Sequence, residues 1–275
     1  DRIDAVAILV PSTQHYEMVM RCLKDGIPAI CEKPLACSLD EIRNIKEERD
    51  RTNGYVSVIY NYLGYPMIRE LKYLIGDGQL GEVEQVIAEM PQEGFIRVKS
   101  DGSPIVPQEW RLHETEIPMI SLDLGAHLHI LVKYLIEQQP RMVFATSNTY
   151  GNFEGIKDSV SAIISYTNNV TCNMWYGKTA LGTRNGLSLR VFGSKGSARW
   201  VQESPEYLEM ADSYGHKYIL DRGSPGLNIS NQKRYNRFKP GHPSGFIEAL
   251  ANYYDDIAEE LIAFKHGHYS VTSSA

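Results

Sequence analysis

The most constraining feature of the sequence is a change of rhythm near residue 61. Before it, three short apolar runs (residues 4–10, 27–31 and 55–60) alternate with two stretches of helical spacing (12–25 and 38–50). Runs that are apolar on both faces and separated by helices belong to a parallel sheet covered on both sides. The punctuation agrees. Pro11 ends the first run, Ser12 offers a helix cap and Gly26 closes that helix. Ser38 with Glu41 three residues on forms a capping box, and Asn53-Gly54 turns the chain into the third run. After residue 61 the spacing predicts a helix over 66–75, a strand over 81–90, a loop bearing Pro and Gly up to Trp110, and a helix over 118–136. Five β segments of alternating polarity follow, at 142–150, 159–166, 170–177, 187–192 and 197–201. Residues 223–245 read as a long loop, and 246–264 return to helical spacing. The expected fold is therefore α/β plus α+β. Residues 1–61 form a partial Rossmann unit, the C-terminal half of a doubly wound parallel sheet. Residues 62–275 form an open, mostly antiparallel sheet with helices on one face, and the helix at 246–265 packs back on the first part.

Charge and cysteine usage exclude whole classes of partner. The 34 acidic residues outnumber the 28 basic ones, for a net charge of -6, and no basic stripe is present for a nucleic-acid backbone to follow. Cys22, Cys31, Cys37 and Cys172 include no C-x-x-C pair, and three of them sit in or beside apolar patterns, which fits a reducing cytoplasm. The first twelve residues hold too short an apolar run for a signal peptide or a membrane span.

Two groups of residues carry potential chemistry. Lys33 leaves the C-terminal end of the second run, where open α/β sheets place ligands, and Pro34 fixes the chain direction there. A solvated lysine is the plain alternative. Asp123 and His127 are four apart, so on a helix they share a face and can act as a carboxylate-oriented imidazole pair, with His127 the candidate general acid/base. An N-cap is the plain reading of Asp123. A zinc site would need His113, His127 and His129 to converge, so no metal is expected.

Four motifs in order carry a resemblance: Pro11-Ser-Thr-Gln-His15, Glu32-Lys33-Pro34, Asn61-Tyr62, and Asp123-Leu-Gly-Ala-His127. Together they resemble the glucose-fructose oxidoreductase and inositol dehydrogenase family (Gfo/Idh/MocA), from the tail of its nucleotide domain through its substrate domain. Residues 60–66 and 108–111 are similar to its anhydrosugar and pyranoside dehydrogenase branch. The resemblance implies NAD- or NADP-dependent oxidation of a hydroxyl on a sugar, sugar derivative or cyclitol. It implies that Lys33, Asp123 and His127 are catalytic, and that Pro11, Ser12, His15, Glu32, Lys33, Pro34, Trp110 and Arg111 hold the cofactor. Lys33, Tyr62, Asp123, His127 and His242 would hold the substrate, with His242 carried by a basic loop. A homodimer or homotetramer through the open sheet face is implied as well.

The sequence also departs from the family pattern. It contains no strand with a G-x-G-x-x-G turn ahead of residue 4, and Gly193-Ser-Lys-Gly196 follows a late strand with no helix behind it, so it reads as a hairpin turn. Without a glycine turn at a helix N-terminus, dinucleotide binding is expected to be weak or absent. Residues 5–10 would then form an unpaired apolar edge, as expected of a fragment or shortened form of a longer product, or of an edge that pairs with a second copy. Ile130 stands where many family members carry an aspartate. Alternatives within the fold are an NAD-dependent glycosidase or lyase and a non-catalytic regulatory or assembly member.

Overall fold

A computed structural model describes residues 3–268. Strands β1 (Val6–Ile8), β2 (Ala29–Glu32) and β3 (Val56–Ile59) pair in parallel in that order. On one side of this sheet, Val19 and Leu23 of α1 (His15–Lys24) and Ile45 of α2 (Leu39–Thr52) bury against Ile8, Ala29 and Cys31. On the other side runs a late helix (Phe246–Lys265) whose Tyr253 hydroxyl donates to the Val58 carbonyl at 2.9 Å and whose Ile257 shares a core with Ile59 and Ile30. Both faces are covered, which is why the strands carry apolar residues on both. At α2 the Ser38 hydroxyl accepts from the Glu41 amide at 3.2 Å, while the Glu41 carboxylate takes the Cys37 amide at 2.8 Å. Ser12, by contrast, does not cap α1. Residues Ser12–Gln14 form a tight 3-10 turn and the α-helix starts at His15 without a side-chain cap.

The second sheet has eight strands. They are β4 (Val83–Pro91), β5 (Pro140–Asn148), β6 (Ser159–Tyr166), β7 (Thr171–Gly177), β8 (Ser188–Gly193), β9 (Gly196–Val201), β10 (Leu208–Asp212) and β11 (Lys217–Leu220). Their order is β11-β10-β9-β8-β4-β7-β6-β5, antiparallel throughout except for β4 beside β7. The Gly193-to-Gly196 segment joins β8 to β9 as a hairpin. The β10–β11 hairpin was not anticipated; Gly215, at φ 85°, makes its turn. Helices α3 (Pro66–Gly76) and α4 (Ala126–Ile136) cover one face, burying Leu71, Leu128 and Val132 against Val86, Val191 and Trp200. The other face is open, with Phe144, Ile163, Trp175 and Phe192 exposed. The helix of residues 246–265, which follows, is α5.

Two details beyond the expected pattern bear on function. The predicted helix over 118–136 forms over 119–136, but its segment Ser121–Gly125 is widened into a π-type turn that runs into α4. A Cβ on Gly125 would meet the Tyr176 ring at 2.9 Å, so glycine is what lets this wide turn lie against β7. The loop over 223–245 is tied down by two buried charges. Glu70 accepts the amides of Asn228, Ile229 and Ser230 at 3.2, 2.8 and 2.7 Å, while Arg222 donates to Glu206 and to the carbonyls of Tyr235, Phe238 and His242.

Candidate active site

The C-terminal ends of β1, β2 and β3 deliver three loops to one crevice, carrying Pro11-Ser12, Lys33-Pro34 and Asn61-Tyr62, as parallel sheets do. The π-type turn and the end of β7 close it from the opposite side. Lys33, 90 residues away in sequence, donates from Nζ to the Asp123 carbonyl at 2.6 Å and to Asp123 Oδ1 at 3.0 Å. Arg111 Nε donates to Oδ2 at 3.0 Å, and Lys178 Nζ lies 2.9 Å from the same oxygen. One carboxylate thus holds three cations. Burial pushes the Asp123 carboxyl up, but Lys33, Lys178 and Arg111 together pull it further down, well below the usual carboxylate range. It stays ionised and cannot serve as a proton shuttle.

The expected Asp123–His127 pair is corrected by this geometry. The carboxylate turns to its three cations rather than to the imidazole, and His127 Nδ1 is buried with no hydrogen-bond partner. Asp123 does not cap α4 either, since it lies within the preceding turn. Burial first, then the neighbouring Lys33 charge, lowers the His127 pKa well below its ordinary value, against the opposing pull of Asp123. The imidazole is therefore neutral near pH 7, able to accept a proton. Its ring packs edge-on to Tyr62, with centroids 4.7 Å apart.

From Tyr62 a chain of hydrogen bonds returns to Asp123. Asn185 Nδ2 donates to the Tyr62 hydroxyl at 3.1 Å, Gln92 Nε2 donates to Asn185 Oδ1 at 3.0 Å, and Lys178 Nζ donates to Gln92 Oε1 at 3.1 Å. His127, Tyr62, Asn185, Gln92, Lys178, Asp123 and Lys33 therefore form a polar arc. The sequence reading missed Gln92, Lys178 and Asn185. Pro91 pairs with Gly177 in the parallel β4–β7 ladder, so Gln92 and Lys178 leave the sheet side by side, a proximity no local spacing encodes.

A cavity of about 360 Å³ opens on the other side of Asp123, and all eight residues expected to hold the cofactor line it. Arg111 stacks over Trp110 on one wall, its guanidinium carbon 4.3 Å from the ring centre. Glu32 lies on another wall, its carboxyl pushed up by burial against the contrary effect of the Lys33 amide and charge. His15 requires a correction. Its side chain is buried, and its two ring nitrogens sit 2.6 Å from the Pro34 carbonyl and 2.8 Å from that of Val10. It clamps two cavity-lining loops together and has no ring nitrogen to offer a ligand. His242 is also corrected: its side chain is exposed, and the fold uses its carbonyl, which accepts from Arg222 at 2.9 Å. His113 and His129 are exposed, and among the described residues no group of three or more potential ligands could hold a metal ion. A larger hollow of about 870 Å³ lies at the opposite end of β4, between its first residues and the Asn168-Asn169 turn, away from these converging groups.

Residues 1–60 match the family profile described as "Oxidoreductase family, NAD-binding Rossmann fold", and residues 68–199 match the "GFO/IDH/MocA C-terminal domain". The chain belongs to the Gfo/Idh/MocA oxidoreductase family. This Gfo/Idh/MocA chain is similar to the oxidoreductase YfiI of Bacillus subtilis (strain 168), at 26% identity over 259 residues, 92% of this chain and 65% of that protein. It is similar to the inositol 2-dehydrogenase of Rhizobium meliloti (strain 1021), at 25% identity over 260 residues, 90% of this chain and 70% of that one. Among solved structures it resembles an inositol dehydrogenase homologue from Azotobacter vinelandii complexed with NADH and myo-inositol. The TM-score is 0.86 at 26% identity, covering 96% of this chain and 68% of that one. The chain thus spans under two thirds of the length of YfiI. Among the described residues, no helix is long and apolar enough to cross a membrane.

Proposed function

We propose that the protein is an NAD(P)-dependent dehydrogenase that oxidises a secondary hydroxyl of a sugar or cyclitol ring. The observation that carries this reading is the union of Lys33 with Asp123, across 90 residues, at the wall of the cavity that the nucleotide-domain loops line. The relatives' names, inositol 2-dehydrogenase and the homologue crystallised with NADH and myo-inositol, support a ring alcohol as substrate.

The residues present fit the nicotinamide end of a dinucleotide. Ser12 Oγ is buried and makes no regular hydrogen bond, its polar neighbour being the weakly bonding Cys37 thiol, so it is free to meet a ribose or amide group. Trp110 and Arg111 supply an aromatic face and a cation, and Glu32 a carboxylate suited to ribose hydroxyls. When bound, NAD(P) supplies the hydride acceptor. The chain supplies the rest. The Lys33 ammonium, fixed by two bonds to Asp123, orients the reacting hydroxyl and favours the negative charge that grows on its oxygen. The neutral imidazole of His127 takes up the hydroxyl proton. Asp123, ionised at every working pH, holds Lys33 in place rather than exchanging protons.

The open sheet face suits a second copy of the chain. Phe144, Ile163, Asn173, Ile87 and Arg190 stand side by side across five strands, a row of three apolar residues broken by Asn173 and ended by Arg190. Sedimentation equilibrium is expected to give a dimer or tetramer, and a monomer at micromolar concentration would contradict it. Four buried, unpaired cysteines suit a reducing compartment.

The function is tested by following nicotinamide reduction at about 340 nm with the intact protein, NAD+ or NADP+, and a panel of aldoses, anhydrosugars, sugar acids, sugar phosphates and inositols. Reduction with at least one ring alcohol is expected. Hydrolysis of a glycoside without net reduction would replace the dehydrogenase reading with a glycosidase one, and silence across the whole panel would end both.

A further inference from the structure

Resting on that reading, we infer that the substrate ring carries an anionic group, a carboxylate or a phosphate, and that Lys178 receives it. The polar arc still has several unused donors to offer. Lys178 is 6% exposed, and its ammonium has three N–H bonds. Two of them go to Asp123 Oδ2 and Gln92 Oε1. Lys33 likewise gives two to Asp123 and keeps one. Arg111 uses Nε on Asp123 and Nη1 on Gln108, and among the described residues its Nη2 has no recorded acceptor. Gln92 gives one amide N–H to Asn185 and keeps the other, while the Tyr62 hydroxyl accepts from Asn185 and retains its own hydrogen.

Around Lys178 acceptors are nearly exhausted. Asp123 Oδ2 already faces two cations and Oδ1 a third, Gln92 Oε1 is taken by Lys178, and Asn185 Oδ1 by Gln92. The arc's open acceptor, the His127 imidazole, serves the reacting hydroxyl, and a further neutral hydroxyl, which both donates and accepts, pairs poorly with the Lys178 part of the wall, where the open groups are donors. A carboxylate or phosphate accepts only, and matches it.

Charge points the same way. Three cations share one carboxylate at a site where Lys33, Lys178 and Asp123 are 14%, 8% and 7% exposed at the side chain. Burial, with the charges of Arg111 and Lys33, works against the Lys178 ammonium; Asp123 supplies the opposing charge, and Gln92 Oε1 and the Phe95 ring are its neutral neighbours. An arriving anion relieves that excess where water is largely excluded. Glu32, the other carboxyl near Lys33, lines the cofactor-side cavity, whereas Lys178 does not. The dinucleotide's own phosphates therefore do not account for Lys178.

The test is calorimetric titration of the intact protein, at low salt and with saturating NAD+ or NADP+, using D-glucose, D-glucuronate and D-glucose 6-phosphate. At least one anionic sugar is expected to bind tenfold or more tightly than glucose, and comparison of the two identifies carboxylate or phosphate. Lys178→Gln should collapse that ratio toward one, while Lys178→Arg, which keeps charge and donors, should retain most of it. Near-ultraviolet circular dichroism establishes that both variants are folded. Equal or weaker binding of both anionic sugars, or a Lys178→Gln protein that keeps the full ratio, overturns the inference. Turnover of neutral sugars at equal or better kcat/KM does so too, yet leaves the dehydrogenase reading standing. Tight binding of an anionic sugar with no cofactor reduction on any substrate has the reverse effect.

Discussion

Replacing Lys33 with methionine is expected to lower kcat/KM for cofactor reduction about a thousandfold while leaving the protein folded. Methionine keeps the length of the side chain and removes its charge and its two hydrogen bonds to Asp123. The Asp123 carboxylate retains Arg111 and Lys178, so the turn that carries it stays anchored. The loss should fall mainly on kcat, because stabilisation of the developing alkoxide is missing only in the transition state. Steady-state kinetics on the best substrate of the panel, beside a thermal melt, measures both. Undiminished turnover in a folded Lys33→Met protein would remove Lys33 from the chemistry.

Asp123→Asn is expected to damage both activity and stability. Asparagine fills the same space but withdraws the one negative charge shared by three cations, two of them largely buried. Removing one partner from a buried ionic cluster costs about 3–5 kcal/mol, which in a protein of this size lowers Tm by roughly 10 °C. The effect depends on pH in a defined direction. The folded carboxyl titrates below its unfolded value of about 3.9, so the ionised form adds stability above that pH, and this is lost as the pH falls toward the folded value. Melting curves of wild type and Asp123→Asn should therefore lie far apart at pH 7 and draw together below about pH 4. A constant separation down to pH 3 would mean that the cluster does not depend on that charge.

The parts of the site legible in the sequence were those written in short motifs at strand ends. Lys33 follows β2 directly, and its adjacent proline and glutamate mark the loop, while Asp123 and His127 share a five-residue string. Their convergence could be expected because parallel strands deliver ligand-binding loops to one edge. Their internal arrangement could not. Spacing of four suggests an aspartate–histidine pair, but partners in the tertiary structure turn the carboxylate toward Arg111 and Lys178, and Lys178 follows a strand more than fifty residues away. His15 was misread for a similar reason. A histidine beside a nucleotide loop looks like a ligand until both ring nitrogens are seen facing carbonyls. The β10–β11 hairpin has a local signal in the alternation of Leu208 and Met210, both buried, and in the turn at Gly215. The π-type turn had no such signal, since its wide pitch depends on the Tyr176 ring resting against Gly125.

In the proposed reaction Lys33 and His127 act together as a ring C–H passes to a nicotinamide as hydride. The most direct measurement uses the panel's best substrate carrying deuterium at each oxidisable ring carbon in turn, with mass spectrometry of the nicotinamide after a single turnover. One labelled position should deliver its deuterium quantitatively to the reduced cofactor, and His127→Asn should slow that transfer at least a hundredfold. Product formation with the nicotinamide free of deuterium at every position, or unslowed transfer in His127→Asn, would contradict the account.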